Sequence, residues 1–455
     1  MMNRILPSIF LIAGLLTASP APQAPAGIQL PPTPVGRSVE AYFKAFNAGV
    51  EAMQGYFAAF TAKDALQQVP IDVRLTRYRQ MHERLGNLEL RKLVEAKSDL
   101  VRVVAHGGNG PLVNLEFQFE PAEPFGLIAI RVTDAGMEGA PGDPKKDASE
   151  LASTVRAYAQ KLADEDAFSG VILLARDGAP IFEQAFGLAD RARKIPNRLD
   201  TKFNIGSINK SFTALAARQL FAQGKLSLDD PIGKFLPDYP NLEAAVKVTV
   251  SHLVDMTSGI GDFFGDRYQA TPKDKLRSLK DYLPLFADKP LEFEPGTKTL
   301  YSNGGYLVLG LIVEKASGQD YYAYVREHIY KPAEMTDSDS YAKGDVVANR
   351  AKGYTHSGSA WVPNDDTLPA RGSSSGGGYS TAHDLLKYVV ALQKGTFGEL
   401  PEDLKDGMGI AGGAPGLNAG VEWDAKRGYT IIVLANLDPP AAERIALQIR
   451  AWLPQ

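Results

Sequence analysis

Ser207 and Lys210 stand three residues apart in the run Phe203-Asn-Ile-Gly-Ser207-Ile-Asn-Lys210-Ser-Phe-Thr, where an extended stretch gives way to a helical one. Residues at that spacing share a helix face, so the hydroxyl and the amine can meet. A serine on the first turn also sits at the positive end of the helix dipole, beside free backbone N–H groups. Burial of Lys210 would lower its pKa and let it accept the serine proton, which is the chemistry of an activated nucleophile. The pattern is weak alone, because roughly one or two Ser-x-x-Lys matches arise by chance in a chain of this size. A second patch, Tyr301-Ser302-Asn303, follows the turn Glu294-Pro295-Gly296-Thr297 and opens an apolar helix. A phenol beside an ammonium can be made more acidic and move protons, and the Asn303 amide can hydrogen-bond a substrate carbonyl.

Other residues compete for attention. Gly372-Ser-Ser-Ser-Gly376 satisfies the Gly-x-Ser-x-Gly elbow pattern. That chemistry requires a strand, a sharp turn and a helix. Here the pattern lies inside a Gly/Ser run, which reads as a flexible loop at the rim of a site. The six histidines, His82, His106, His252, His328, His356 and His383, have no metal-binding spacing. No metal site and no cofactor are expected. His252 reads as a structural hydrogen-bonding residue.

These patches need a scaffold, and 455 residues suggest two domains. A small α+β unit is expected over 37–134. Apolar residues from Tyr42 to Phe60 fall at helical spacing, a second helix follows near 75–84, and four alternating strands come after. The Gly-, Pro- and charge-rich segment 135–148 reads as a linker. From 149 to 455 an amphipathic helix leads into a hairpin around Asp177-Gly178. A buried strand over 429–434 and a closing helix come at the far end, so both ends of this unit build one sheet around a helical middle.

Composition narrows the rest. Apolar content of 44%, charged content of 22% and a net charge of -4 describe a globular chain with no nucleic-acid footprint. There is no cysteine, which excludes a thiol nucleophile or thiolate metal site. Residues 1–26 read as an export signal: a short start with Arg4, an apolar stretch from Ile5 to Ala18, then small residues and proline. Cleavage is expected between Ala18 and Ala26, leaving a soluble periplasmic or secreted protein without stable membrane insertion.

Taken together and in order, the motifs resemble the serine β-lactamase-related hydrolases, a family of class C β-lactamases, D-alanyl-D-alanine carboxypeptidases and esterases. They are Gly206-Ser-Ile-Asn-Lys210-Ser-Phe-Thr, Lys225-Leu-Ser-Leu-Asp-Asp-Pro231, Val248-Thr-Val-Ser-His-Leu-Val-Asp-Met-Thr-Ser-Gly259 and Pro295-Gly-Thr-Lys-Thr-Leu-Tyr301-Ser-Asn303-Gly-Gly-Tyr306. Gly377-Gly-Tyr-Ser-Thr-Ala-His-Asp384 and Gly413-Ala-Pro-Gly416 follow. The resemblance covers about residues 150 to 452. It implies an α+β fold, with an antiparallel sheet flanked by helices, a helical lobe and a site between the two. Ser207, Lys210 and Tyr301 then carry catalysis, with Asn303, Gly412 and Gly413 binding a small ester, amide or peptide. The first unit resembles the cone-shaped NTF2-like folds.

One position departs from the family. Its third motif places Lys or His two residues before a glycine, but here the stretch reads Ile410-Ala411-Gly412, after a segment that looks shortened. Lys405-Asp406-Gly407 fits the pattern literally but makes a poor strand. Without that cation a substrate carboxylate, as in penicillins or D-Ala-D-Ala termini, is held less well. An oxyanion pocket of backbone N–H groups from Ser207 and Gly413 needs no cation. An esterase-like enzyme is therefore expected, and the alternative is a penicillin-binding-like protein that binds without turnover.

Overall fold

The computed structural model describes residues 28, 30–107, 112–134, 148–357 and 360–454, in two compact units that divide at Ala135/Gly136. The expected export signal and the segment 135–147 lie outside the described residues.

In the N-terminal unit, the helix Pro34–Ala48 begins with Thr33, whose hydroxyl accepts from the Gly36 N–H at 3.2 Å, and with proline in its first turn. The helical spacing from Tyr42 to Phe60 does not make one helix. It breaks at Gly49 and again at Thr61, giving Val50–Phe60 and Lys63–Gln68, before Ile71–Leu85. Strands Leu88–Ala96, Leu100–Gly107, Leu112–Phe119 and Leu127–Asp134 form an antiparallel meander. The aromatic stripe is core. Tyr42 packs edge-on to Phe117 at 5.0 Å, and Phe46 to Tyr78 at 5.1 Å.

The C-terminal unit is built on a five-stranded antiparallel sheet. Its order is Gly407–Ala414, Leu417–Asp424, Tyr429–Ala435, Gly170–Arg176 and Ala179–Phe186. The last two strands turn through Asp177 and Gly178, both at positive φ, as a tight two-residue hairpin requires. Strand alternation splits the core into two layers. Val171, Leu173, Ile432 and Leu434 face a helical lobe with Phe212, Leu307 and Leu385. Ile172, Leu174, Ile431 and Val433 face the helices Ala148–Asp164 and Ala441–Trp452, meeting Val155, Ile445 and Trp452. Each such buried side chain stabilises by about 1.5–3 kcal/mol. The sheet edge Gly407–Ala414 lies against the turn that carries Ser207, and that contact places the site.

Candidate active site

Ser207 lies in the 3₁₀ turn Gly206–Ile208, which runs directly into the helix Asn209–Ala222. Phe212, Ala216 and Leu220 bury that helix in the lobe, so Lys210 is carried inward with it and is only 7% exposed. Its Nζ donates to Ser207 Oγ at 3.1 Å, to Asn303 Oδ1 at 2.7 Å and to the Ser375 carbonyl at 2.5 Å. Ser207 Oγ and the Tyr301 hydroxyl share a hydrogen bond of 2.5 Å. The sequence-predicted Ser207, Lys210, Tyr301 and Asn303 therefore meet at one point, although Tyr301 is 94 residues from Ser207 in the chain.

A second side of the site is set by the start of the helix Asn303–Ser317. Ser302 caps it by accepting from the Gly305 N–H at 2.7 Å, and its hydroxyl donates to the Ile260 carbonyl at 2.6 Å. That clasp fixes Tyr301 on one side of Lys210 and Asn303 on another. The Lys210 ammonium lies 4.5 Å from the Tyr301 ring centre and 5.9 Å from that of Tyr306.

Burial lowers the Lys210 pKa to about 7, with Asp262 partly opposing the change. Tyr301 corrects an expectation. Its phenol is not made more acidic by the neighbouring ammonium. Burial raises its pKa and the Asp262 charge adds to that, against a lowering from the Ser207 hydrogen bond. The Tyr301 hydroxyl is therefore held as a hydrogen-bonding O–H beside Ser207 Oγ.

Strand Gly407–Ala414 forms the opposite wall. Gly412 has no room for a side chain: a Cβ there would collide with the Ile205 carbonyl and sit 2.8 Å from the Ser207 nitrogen. Gly413 faces the cleft with Ser207. Ile410 is half-buried and packs on the core, so no cation stands there. The literal alternative fails, since Lys405 ends a 3₁₀ turn ahead of the strand and pairs with Glu402 at 2.7 Å. Gly407–Ala414 is the edge of the sheet and lies against the turn that carries Ser207.

The Gly/Ser run is also corrected. Ser373, Ser374 and Ser375 are buried, at 3% exposure or less, and form a wall against the helix Asn209–Ala222 rather than a loose rim. Thr213 Oγ1 donates to the Ser374 carbonyl at 2.7 Å, and Asn209 Nδ2 to the Ser373 carbonyl at 3.2 Å. A fully buried Ser374 cannot be an elbow nucleophile. His252 is structural, as expected: its Nδ1 accepts from the Thr249 N–H at 3.2 Å, within a helix cap.

Two residues of the site escaped sequence reasoning. Asp262 accepts from Asn303 Nδ2 at 2.6 Å. Asn418, fully buried, donates to the Gly412 carbonyl at 3.2 Å and accepts from the Ala442 N–H at 2.6 Å, tying the site strand to the closing helix. Among the described residues no three His, Asp or Glu side chains gather as metal ligands, and no helix is long and apolar enough to cross a membrane. The whole site opens into a cleft of about 1760 Å³ lined by Ser207, Tyr301, Asn303, Phe264, Gly413 and Glu443, among others.

An antiparallel sheet flanked by helices, with a Ser, Lys and Tyr cluster at its edge, defines a β-lactamase-type fold. The beta-lactamase family model matches residues 154–453, and the chain belongs to that family. It is 32% identical over 336 residues to esterase EstB of Burkholderia gladioli, covering 65% of this chain and 82% of that one. It is 31% identical over 272 residues to PbpX of Bacillus subtilis, covering 59% of this chain and 66% of PbpX. The human mitochondrial serine beta-lactamase-like protein LACTB is 26% identical, with 60% and 63% covered. The chain thus spans just under two thirds of PbpX and of LACTB. Among solved structures, a penicillin binding protein from Bacillus halodurans superimposes with a TM-score of 0.58 at 31% identity, covering 63% of this chain and 98% of that one. A class C beta-lactamase bound to cefoxitin, at 20% identity and a TM-score of 0.56, shares the fold.

Proposed function

We propose that the C-terminal unit is a serine hydrolase that forms an acyl-enzyme on Ser207 and prefers uncharged esters. The reading rests on the Lys210 amine, held 3.1 Å from Ser207 Oγ and losing its proton near pH 7 rather than near 10.5. A neutral amine has two N–H donors and one lone pair. The carbonyls of Asn303 and Ser375 can only accept, so they occupy the two donors and leave the lone pair for the Ser207 proton. Oγ then attacks the acyl carbon. The oxyanion is held by the N–H groups of Ser207 and Gly413, and Tyr301 passes its proton to the leaving oxygen and is re-protonated by Lys210, which gives up the proton it took from Ser207. Water repeats the sequence to free the acid. Family members named as an esterase and as a penicillin-binding protein support this class of reaction.

The preference for esters over β-lactams comes from Ile410. A charge-assisted bond to a substrate carboxylate contributes about 1.5–3 kcal/mol, and position 410 offers no donor for one. Nitrophenyl butyrate is therefore expected to be hydrolysed at least about tenfold better than nitrocefin in kcat/KM. The opposite ranking would overturn the argument from Ile410. Export is part of the same reading, supported by the apolar segment Ile5 to Ala18, as is an NTF2-like N-terminal unit, supported by its helices followed by a meander.

A binding protein without turnover is the second reading, favoured by Ile410. A fluorescent fluorophosphonate separates the two. Labelling of the wild type that disappears in Ser207→Ala supports the hydrolase, and an unlabelled wild type supports the binder.

A further inference from the structure

We propose that Asp262 is a positioning residue for the general base, acting through the side chain of Asn303; the inference builds on the hydrolase reading above. Asn303 stands between the Lys210 amine, which donates to it, and the Asp262 carboxylate, which can only accept. Its Oδ1 receives Lys210 Nζ at 2.7 Å, and its Nδ2 donates to Asp262 Oδ2 at 2.6 Å. An amide alone in that place could turn over and present its own donors to Nζ. Asp262 forbids this, because turning the amide would set an oxygen against a carboxylate.

The carboxylate is itself fixed. Its other oxygen, Oδ1, accepts from the Phe264 backbone N–H at 2.9 Å. The turn that carries it is fastened to the start of the Asn303 helix by Ser302, which donates to the carbonyls of Ile260 at 2.6 Å and Gly261 at 3.2 Å. Four elements face Lys210. Ser207 comes from the nucleophile turn, Tyr301, Asn303 and Tyr306 from the helix start, the Ser375 carbonyl from the Gly/Ser wall, and Asp262 from the turn behind Asn303. Asp262 is the carboxylate in that set, and its charge favours the ammonium form, so it sets both where the amine points and when it gives up its proton.

Asp262→Asn tests this with little change in volume. The new amide must set a donor against either Asn303 Nδ2 or the Phe264 N–H, since it can accept from only one of them, and it removes the charge. We expect kcat for nitrophenyl butyrate to fall about tenfold or more with KM little changed. The acidic limb of the pH profile should move to lower pH. Exchanging the pair, Asp262→Asn with Asn303→Asp, restores one donor and one acceptor on each link. It should recover most of kcat at high pH while moving the acidic limb above the wild-type value, since a carboxylate now touches Nζ. Competitive acylation of Lys210, followed by mass spectrometry between about pH 6 and pH 10, reads the same titration whether or not an ester is turned over. A wild type that hydrolyses nothing would therefore count against the hydrolase reading, while the acylation curves still judge Asp262. Wild-type kcat and titration in Asp262→Asn overturn the proposal. So does an exchange variant as impaired as the single one with the Lys210 titration unmoved. If the single variant does not fold, the exchange variant decides by the same two measures.

Discussion

Lys210→Met is expected to lower kcat/KM about 10³- to 10⁴-fold and, at the same time, to flatten the pH dependence of stability. The first effect follows from removing the amine proposed as general base, 3.1 Å from Ser207 Oγ. The second follows from linkage. Lys210 titrates near 7 in the fold against an ordinary value of 10.5. Between those values the unfolded chain binds more protons than the folded one, so the wild type gains stability as pH rises through that window. Each pH unit in the window is worth about 1.4 kcal/mol. Methionine holds no proton, so the stability difference between variant and wild type should shift toward the wild type by on the order of 4 kcal/mol between pH 7 and pH 10. Below pH 7 the wild type carries a buried ammonium at full cost, offset by its three hydrogen bonds. Urea melts across pH measure the difference. Parallel curves for the two proteins would show that Lys210 is an ordinary lysine and cannot act as the base. The same displacement predicts that wild-type kcat/KM rises with pH through about 7.

What the sequence made legible were features with a local cause. Ser207 and Lys210 lie one turn apart on a helix whose apolar face, Phe212, Ala216 and Leu220, is written in the same dozen residues. The Asp177-Gly178 hairpin and the buried strand near 429 were legible for the same reason. Tyr301 was reached only because several motifs occur in family order, since nothing local distinguishes a phenol bound for Ser207 from a packing tyrosine. The Ser375 carbonyl was not legible at all. Any residue has one, and its place 165 positions from Lys210 is a product of tertiary packing. Composition misled at the Gly/Ser run. Small residues there allow the wall to approach the nucleophile helix closely, where a sequence window suggests looseness. It misled at Gly49 too, where apolar periodicity continues across a break in the backbone. Asp262 and Asn418 escaped because a buried polar bridge is defined by both its ends, and the ends are distant in the chain.

Two glycines on the site strand separate backbone geometry from mere smallness. Gly412→Val places Cβ against the Ile205 carbonyl and 2.8 Å from the Ser207 nitrogen, neither of which is the free end of a flexible side chain. Either the strand withdraws from the nucleophile turn or the turn shifts. Both moves carry the Gly413 and Ser207 N–H groups apart, and loss of one oxyanion donor alone costs about 10²–10³ in kcat. Because the base also loses its register with Oγ, the expected fall is at least about 10³-fold, with destabilisation above about 4 kcal/mol from the clash. Gly409→Val, three residues earlier on the same strand, meets nothing within 4 Å and gains strand propensity. It is expected to keep wild-type activity and to melt no lower. Ester hydrolysis and thermal unfolding of the two variants, side by side, measure both effects. A Gly412→Val protein as active as Gly409→Val would mean that the edge strand does not form the oxyanion wall.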